Sequence, residues 1–121
     1  MRVAHEAGAS EALFANTRDE LCEGTGTNVF VVVDEQVLTP PLSSGCLAGV
    51  SRELLIEASG GAIVEQAMAF DVLTTASEVF LTSTTRDVQG LTKIDDRELV
   101  VGPVTKQMEA TFDQILTTVD P

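Results

Sequence analysis

The sequence has no tryptophan and no tyrosine, and aromatic residues make up only 4% of it. A core built from it must rest on Val, Leu, Ile, Ala and five Phe. Positive charge is scarce too: seven Lys and Arg stand against nineteen Asp and Glu, a net charge of −12. A surface this acidic argues against nucleic acid or an anionic membrane as the main partner. It leaves room for a small anionic ligand, which needs only a local nest of donors. His5 is the single histidine. A Ser-His-Asp or Cys-His system would have to use it, near the N-terminus and far from any nucleophile elbow, so it reads as a surface or helix histidine. Cys22 and Cys46 are too few and too far apart for a zinc cluster, and no metal is expected. No signal-peptide pattern or transmembrane run is read in the sequence, so a reducing cytoplasm is the expected setting. Both thiols are then expected to be free and partly buried.

What is present fits one domain. A length of 121 residues allows a modest core, and 44% hydrophobic residues is ordinary for a globular chain. Met1 to Ala9 has helical composition and a plausible C-terminal glycine at Gly8. Glu11 to Thr17 reads as a strand, followed by a turn, and Leu21 to Glu23 starts a second strand. Asn28 to Val33 is apolar and β-branched, with Asp34-Glu35-Gln36 turning into a partner strand that Thr39-Pro40-Pro41 closes. After a small-residue loop, Ser43 to Gly49, a helix is expected from Val50 to Ser59, with Val50, Leu54 and Ala58 on one face and Gly60-Gly61 ending it. A strand from Ile63 to Met68, a helical turn from Ala69 to Ala76 and a buried strand from Glu78 to Thr84 follow. Leu91 to Val101 alternates around an acidic turn, and Pro103 opens a last helix with its body from Lys106 to Thr117. With no internal repeat, this order implies a mixed α/β or α+β domain.

Three stretches bear on chemistry. CEGTGTNVF, Cys22 to Phe30, sets a carboxylate, Glu23, among glycines and threonines ahead of an apolar strand. Gly49-Val50-Ser51-Arg52 lies where a glycine loop opens a helix. Backbone N–H groups there lack intrahelical acceptors, the helix dipole favours negative charge, and Ser51 adds a hydroxyl. A phosphate cradle has this composition, and so does a plain N-cap. Arg52 could stabilise an anion or pair with an acid such as Glu53. Thr82-Ser83-Thr84-Thr85 puts four hydroxyls at the end of a strand, which suits either a shared anion or an ST-turn.

In order, EALFANT, LCEGTGTNVFVV, LTPPLSSGCLAGVSREL and EVFLTSTTRDVQG resemble the C-terminal part of the class IV pyridoxal-phosphate enzymes. That family includes the branched-chain and D-amino-acid aminotransferases and 4-amino-4-deoxychorismate lyase. The resemblance runs from Gly8 onward and is carried by the patterns EG-x-x-x-N, TPP-x-x-x-G-x-L-x-G-x-[ST]-R and LT-x-T. It implies the C-terminal domain of the D-amino-acid-aminotransferase-like fold, a mixed, barrel-like sheet with flanking helices.

The resemblance also implies roles. Glu23 matches the carboxylate that keeps the pyridine nitrogen of pyridoxal 5′-phosphate protonated, a tuning group and not an acid–base catalyst. Leu47 matches the apolar residue against one face of the ring. Gly49, Val50 and Ser51 match the phosphate-binding helix start, with Ser83 and Thr84 on the facing loop. Thr84 and Thr85 fall where members meet the substrate carboxylate. Asn28 reads as stabilising the loop and not as touching substrate. Ser83 stands where many aminotransferases carry Gly, and Ala48 where many carry Pro, which leaves the subfamily open. The STTRDVQG run resembles lyase-type or actinobacterial aminotransferase-like members slightly more than the branched-chain enzymes.

The family's Schiff-base lysine lies upstream of the matched segment, and Lys93 and Lys106 match no catalytic position. No catalytic residue is therefore expected here. Residues 1–121 are expected to be a single truncated domain without the small N-terminal one. The expected function is the cofactor-binding part of a class IV aminotransferase or aminodeoxychorismate lyase with a small amino substrate, inactive as an isolated chain. A non-catalytic module that binds an anion or a partner chain is the alternative. A homodimer, or a complex with the missing half, is expected because NVFVVV, LAGV and EVFL are too apolar to face water on both sides.

Overall fold

A strand covered on both faces loses the alternation of polar and apolar residues, and NVFVVV has lost it almost completely. The computed structural model, which describes residues 2–6, 9–24, 26–83, 87–95 and 97–119, shows what covers it. In chain order the elements are β1 (Arg2–Glu6), β2 (Ala9–Ala15), β3 (Leu21–Gly24), β4 (Asn28–Val33), β5 (Gln36–Thr39), α1 (Val50–Ala58), β6 (Ile63–Glu65), β7 (Glu78–Ser83), β8 (Asp87–Gly90), β9 (Lys93–Ile94), β10 (Arg97–Glu98) and α2 (Pro103–Val119). Short 3-10 turns occupy Leu42–Ser44 and Phe70–Thr74. The strands form two five-stranded sheets, ordered β10-β9-β1-β2-β3 and β6-β5-β4-β7-β8. The β5–β6 pairing is parallel, which makes the second sheet mixed.

β4 is the middle strand of that second sheet, and its two faces serve two cores. Val29 and Val31 pack with Leu13, Leu21, Leu81 and Leu91 between the sheets. Phe30 and Val32 pack with Leu55, Phe80, Met108 and Phe112 beneath the helices. Phe30 and Phe80 are directly opposite in the ladder, with parallel rings 4.9 Å apart. The result is sheet on sheet on helices, a layered α/β arrangement. The expectation of uncovered strands is therefore corrected: Val29 to Val32 and Val79 to Leu81 are at most 1% exposed within this one chain. Phe30, Phe70, Phe80 and Phe112 are buried, while Phe14 is 40% exposed.

Several local readings also change. The N-terminal segment, expected as a helix over Met1 to Ala9, is instead β1 from Arg2 to Glu6, paired in register with β2. A helix of that length pays a nucleation cost without recovering it, whereas the hairpin satisfies the backbone at once. The Ile63 strand stops at Glu65. Beyond it, Gln66 N–H goes to Thr39 O at 2.9 Å, and Met68 O accepts Leu21 N–H at 2.8 Å, so the chain crosses from one sheet to the other. β8 was not foreseen, and the Leu91 to Val101 stretch resolves into the two-residue strands β9 and β10. The Asp34-Glu35 hairpin is as read, with Gln36 already in β5; both turn residues have positive φ, 51° and 66°, as a type I′ turn requires. α2 begins at Pro103, and the next two donors, the Val104 and Thr105 N–H groups, go to the buried Glu78 carboxylate at 3.4 and 2.7 Å.

Candidate functional site

The chain enters the site through a tight fold of the EGTGTN segment. Gly24 and Thr27 exchange N–H···O bonds of 3.2 and 3.3 Å, and Gly26 between them has a φ of 66°. A Cβ on Gly24 would lie 2.3 Å from Thr27 Oγ1, so only glycine closes this turn. Thr27 and Asn28 are thereby delivered, both buried, to the start of β4.

The second wall is the loop from Gly45 to Gly49, which side chains hold in place. Glu23 Oε1 accepts the Leu47 N–H at 2.7 Å, and Asn28 Nδ2 donates to the Leu47 carbonyl at 2.8 Å. Just upstream, Asn16 Nδ2 and Arg18 Nη2 donate to the Ser44 and Ser43 carbonyls, each at 3.0 Å. Leu47 itself keeps its side chain 68% exposed at the cavity.

α1 forms the third wall. Its N-cap, Gly49, is extended and offers no side-chain cap, so the first N–H groups of the helix have no intrahelical acceptor. Ser51 Oγ donates to the Ser83 carbonyl at 3.1 Å and ties the helix start to the end of β7. Arg52 turns the other way. Its side chain is fully buried, with Nη2 donating to Pro40 O at 3.0 Å and to Glu65 Oε1 at 2.6 Å, and Nη1 paired with Glu53. Burial works against its charge, and the Glu65 and Glu53 carboxylates more than offset that, so its pKa moves up. Of the two roles open to Arg52, pairing with acids is the one the structure shows. The helix face changes accordingly: Arg52 and Leu55 are buried, Val50 and Ala58 exposed.

These walls enclose a cavity of about 170 Å³ lined by Gly26, Thr27, Asn28, Leu47, Gly49, Val50, Ser51, Thr82 and Ser83. Among the described residues no charged side chain lines it. Thr27 Oγ1 and Thr82 Oγ1 are buried there without a hydrogen-bond partner. A buried hydroxyl left unpaired costs about 1–3 kcal/mol, so two beside one cavity ask for an explanation, and a bound acceptor supplies one.

Leu47, Gly49, Val50, Ser51 and Ser83 are thus brought together as lining residues, and Glu23 stands one hydrogen bond behind Leu47. Thr84 and Thr85 lie outside the described residues. Lys93 is on β9 and Lys106 on α2, and neither lines the cavity. Thr82 is among the four hydroxyl residues that the sequence offers to a shared anion, whereas Thr27 is not singled out; its only signal is the run of hydroxyls and glycines in GTGT. Cys22 and Cys46 are free thiols, half-buried and buried, and burial pushes both above the ordinary thiol range. No helix among the described residues is long and apolar enough to cross a membrane.

Comparison with known proteins agrees with this architecture. A branched-chain-amino-acid aminotransferase of Pseudomonas aeruginosa is 30% identical over 115 residues, covering 89% of this chain and 37% of that protein. The branched-chain aminotransferase of Thermoproteus uzoniensis, solved with norvaline, superposes with a TM-score of 0.84 at 32% identity, covering 91% of this chain and 38% of that one. The branched-chain amino acid aminotransferase of Thermobaculum terrenum in its PLP form gives 0.81 at 28% identity, with 91% and 38% covered. The chain spans about two fifths of the length of the relatives it matches. The family model described as Amino-transferase class IV matches residues 1–94, and with the shared fold this makes the chain a member of that family.

Proposed function

We propose that the cavity holds the phosphate of pyridoxal 5′-phosphate, and that the chain is the cofactor-binding part of a class IV aminotransferase or aminodeoxychorismate lyase. The observation that carries this reading is the pair of buried, unpartnered hydroxyls of Thr27 and Thr82 beside the uncapped start of α1. Hydroxyl residues and free backbone donors around one uncharged hollow suit an anion with several acceptor oxygens, to which the two threonine hydroxyls would turn. The PLP form of the Thermobaculum terrenum enzyme supports the cofactor, and the norvaline complex of the Thermoproteus uzoniensis enzyme supports an amino acid as the substrate class.

When bound, the cofactor supplies an electron-accepting pyridinium that takes up charge from a bond at the substrate Cα. Glu23 would hold the proton on its ring nitrogen, and a carboxylate does so better than a neutral partner. Leu47 would cover one face of the ring. The helix-start N–H groups, Ser51, Ser83 and Thr84 would hold the phosphate, and the Thr84 and Thr85 backbone would meet the substrate carboxylate. The Ser51 hydroxyl, which here donates to Ser83 O, would turn to the anion.

A second reading has its own support, because neither Lys93 nor Lys106 lines the cavity. In it the chain binds an anionic ligand or a partner chain without turning anything over. Two measurements test the anion site and whether this chain retains chemistry. In a titration with pyridoxal phosphate, inorganic phosphate should compete and pyridoxal should bind far worse, because charge-assisted hydrogen bonds contribute about 1.5–3 kcal/mol each. Equal binding of pyridoxal and its phosphate would overturn the anion site. Borohydride reduction followed by mass spectrometry should leave both lysines unmodified, and turnover should not exceed that of free pyridoxal phosphate. An adduct on either lysine, with turnover lost on its replacement by Ala, would show retained chemistry in this chain.

A further inference from the structure

We propose that Phe14 is a positioning residue for Glu23: a β-bulge turns both onto one face of the first sheet, where the phenyl ring packs along the stem of the acid and holds its carboxylate against the Leu47 peptide. This rests on the reading of Glu23 as the partner of the cofactor's ring nitrogen. On a regular strand, residues two apart share a face. Leu21 and Glu23 break that rule. Leu21 is fully buried in the core between the sheets, while Glu23 is half-buried and its Oε1 accepts the Leu47 N–H at 2.7 Å. The ladder between β2 and β3 shows why. Leu13 and Phe14 stand opposite Gly24 and Glu23, but Ala15 stands opposite Leu21, so Cys22 is an extra residue that no residue of β2 faces. A bulge of this kind re-aims a side chain. Without it, Leu21 and Glu23 would compete for the same side.

Phe14 is the residue that meets Glu23 on that side. Its neighbours Leu13 and Ala15 pack into the core between the sheets. Phe14 therefore projects from the opposite face, where it is 40% exposed although the other four phenylalanines are buried. Residues directly opposite in an antiparallel pair share a face, with Cβ atoms about 4.5–5.5 Å apart. That separation puts the Glu23 methylenes within reach of the ring. A glutamate stem has several rotatable bonds, and each must be restrained for the carboxylate to stay on Leu47. The next residue of β3 is Gly24, which has no side chain to do it. An aromatic ring across the ladder restricts the stem and keeps water from one side of the charge, where electrostatic interactions gain strength. An exposed phenylalanine that belongs to neither core thus acquires a use at the site.

The test uses the whole chain as wild type, Phe14→Ala, Phe14→Leu, Glu23→Gln and the double variant Phe14→Ala/Glu23→Gln. Exchange of the Leu47 amide hydrogen is followed in the unliganded chain, with β2 and β3 as internal controls, and affinities for pyridoxal phosphate and inorganic phosphate are measured beside it. Phe14→Ala should speed exchange at Leu47 and weaken pyridoxal phosphate by about threefold, the scale of one cross-strand pair. Inorganic phosphate should bind as before, which a merely structural loss would not allow. Phe14→Leu, which keeps an apolar side chain beside the stem, should restore both. The double variant should bind pyridoxal phosphate no more weakly than Glu23→Gln, because Phe14 acts through the charge that is already gone. Wild-type exchange at Leu47 in Phe14→Ala, an equal loss for phosphate, or full additivity in the double variant overturns the proposal. If Phe14→Ala loses protection throughout β2 and β3, Phe14→Thr decides by the same criteria, since it keeps a strand-forming side chain that ends short of the Glu23 carboxylate. A wild-type chain that binds neither phosphate nor pyridoxal phosphate refutes the cofactor reading alone, and exchange at Leu47 still decides whether Phe14 holds Glu23.

Discussion

The Glu23 carboxylate and the Leu47 N–H are joined by a 2.7 Å hydrogen bond across 24 residues of sequence. The acid in the EGTGTN segment is therefore not a solvated loop charge. It holds the peptide of Leu47, the residue proposed to cover the cofactor ring. Gln at this position keeps an acceptor for Leu47 but loses the charge proposed to hold the ring proton. Glu23→Gln should fold with wild-type stability while pyridoxal phosphate affinity falls by about tenfold, since a hydrogen bond to a charged group contributes about 1.5–3 kcal/mol. Affinity for inorganic phosphate should stay unchanged. Parallel losses for both ligands would show that Glu23 only shapes the loop.

Thr82 yields a prediction with opposite signs for stability and binding. Its Oγ1 is buried and unpartnered, and the residue is 1% exposed on the central β4–β7 ladder. Thr82→Val removes an unsatisfied hydroxyl at nearly constant shape. Thermal unfolding of the unliganded chain should show a gain of about 1 kcal/mol, while phosphate competition weakens. A loss of stability would mean that the hydroxyl is satisfied within the chain, and its use for an anion would lose its basis.

How much of this was legible in the sequence depends on where each residue finds its partner. The cradle at Gly49-Val50-Ser51 could be read from spacing because helix starts impose their chemistry locally. The β4 strand could be read because NVFVVV has no face to give to water. The buried face of α1 could not be read, because burial of Arg52 becomes visible only when Pro40 and Glu65 come up beside it from two other segments. β1 was hidden for the same reason: the composition of Arg2 to Glu6 is helical, and only pairing with β2 makes it a strand. At the site, the ring-side and phosphate-side residues were visible as motifs, but the link between them, Glu23 to Leu47 to Asn28, exists only in three dimensions.

Arg52 should matter more to stability than either of its acidic partners. It is fully buried, whereas the Glu53 and Glu65 side chains are 49% and 44% exposed. Arg52→Met leaves the Pro40 carbonyl with only the weak Cys46 thiol as donor and frees both acids to water, and should cost about 2–3 kcal/mol, less than breaking a fully buried pair. Glu65→Gln, which leaves Arg52 its Glu53 contact, should cost about 1 kcal/mol. Denaturant unfolding compares the two. A larger loss for Glu65→Gln would place the weight of the cluster on the wrong residue.

Glu20 sets an acid limit. The hydrogen bond from Asn16 and then that from Arg18 hold its carboxyl below the ordinary range. Its folded pKa lies below its unfolded one, so its contribution is present above the ordinary carboxylate pKa and is lost as pH falls through the depressed value. Thermal unfolding against pH should therefore show Glu20→Gln below wild type near neutrality, with the two curves converging in acid. Curves that stay parallel throughout would remove Glu20 from the acid response.

Association is the last consequence, and the covered core changes its strength. The apolar strands are already buried within one chain, and among the described residues the large apolar side chains left exposed are Phe14, Leu42, Leu47, Val50 and Val100, of which Leu47 and Val50, 68% and 71% exposed, line the cavity. Two apolar side chains at the cavity rim are enough for a weak contact and too few for an obligate one. The net charge of −12 opposes the approach of two copies, and physiological salt screens that repulsion beyond about 8 Å. We therefore expect a symmetric dimer that forms at high concentration and moderate salt and dissociates on dilution to a folded monomer. Light scattering across a dilution series at low and physiological salt should show the dimer fraction rising with salt, and Leu47→Asp should abolish it. A dimer that survives dilution, or one indifferent to Leu47→Asp, would mean that copies meet through another face and that the rim of the cavity is left free for a different covering.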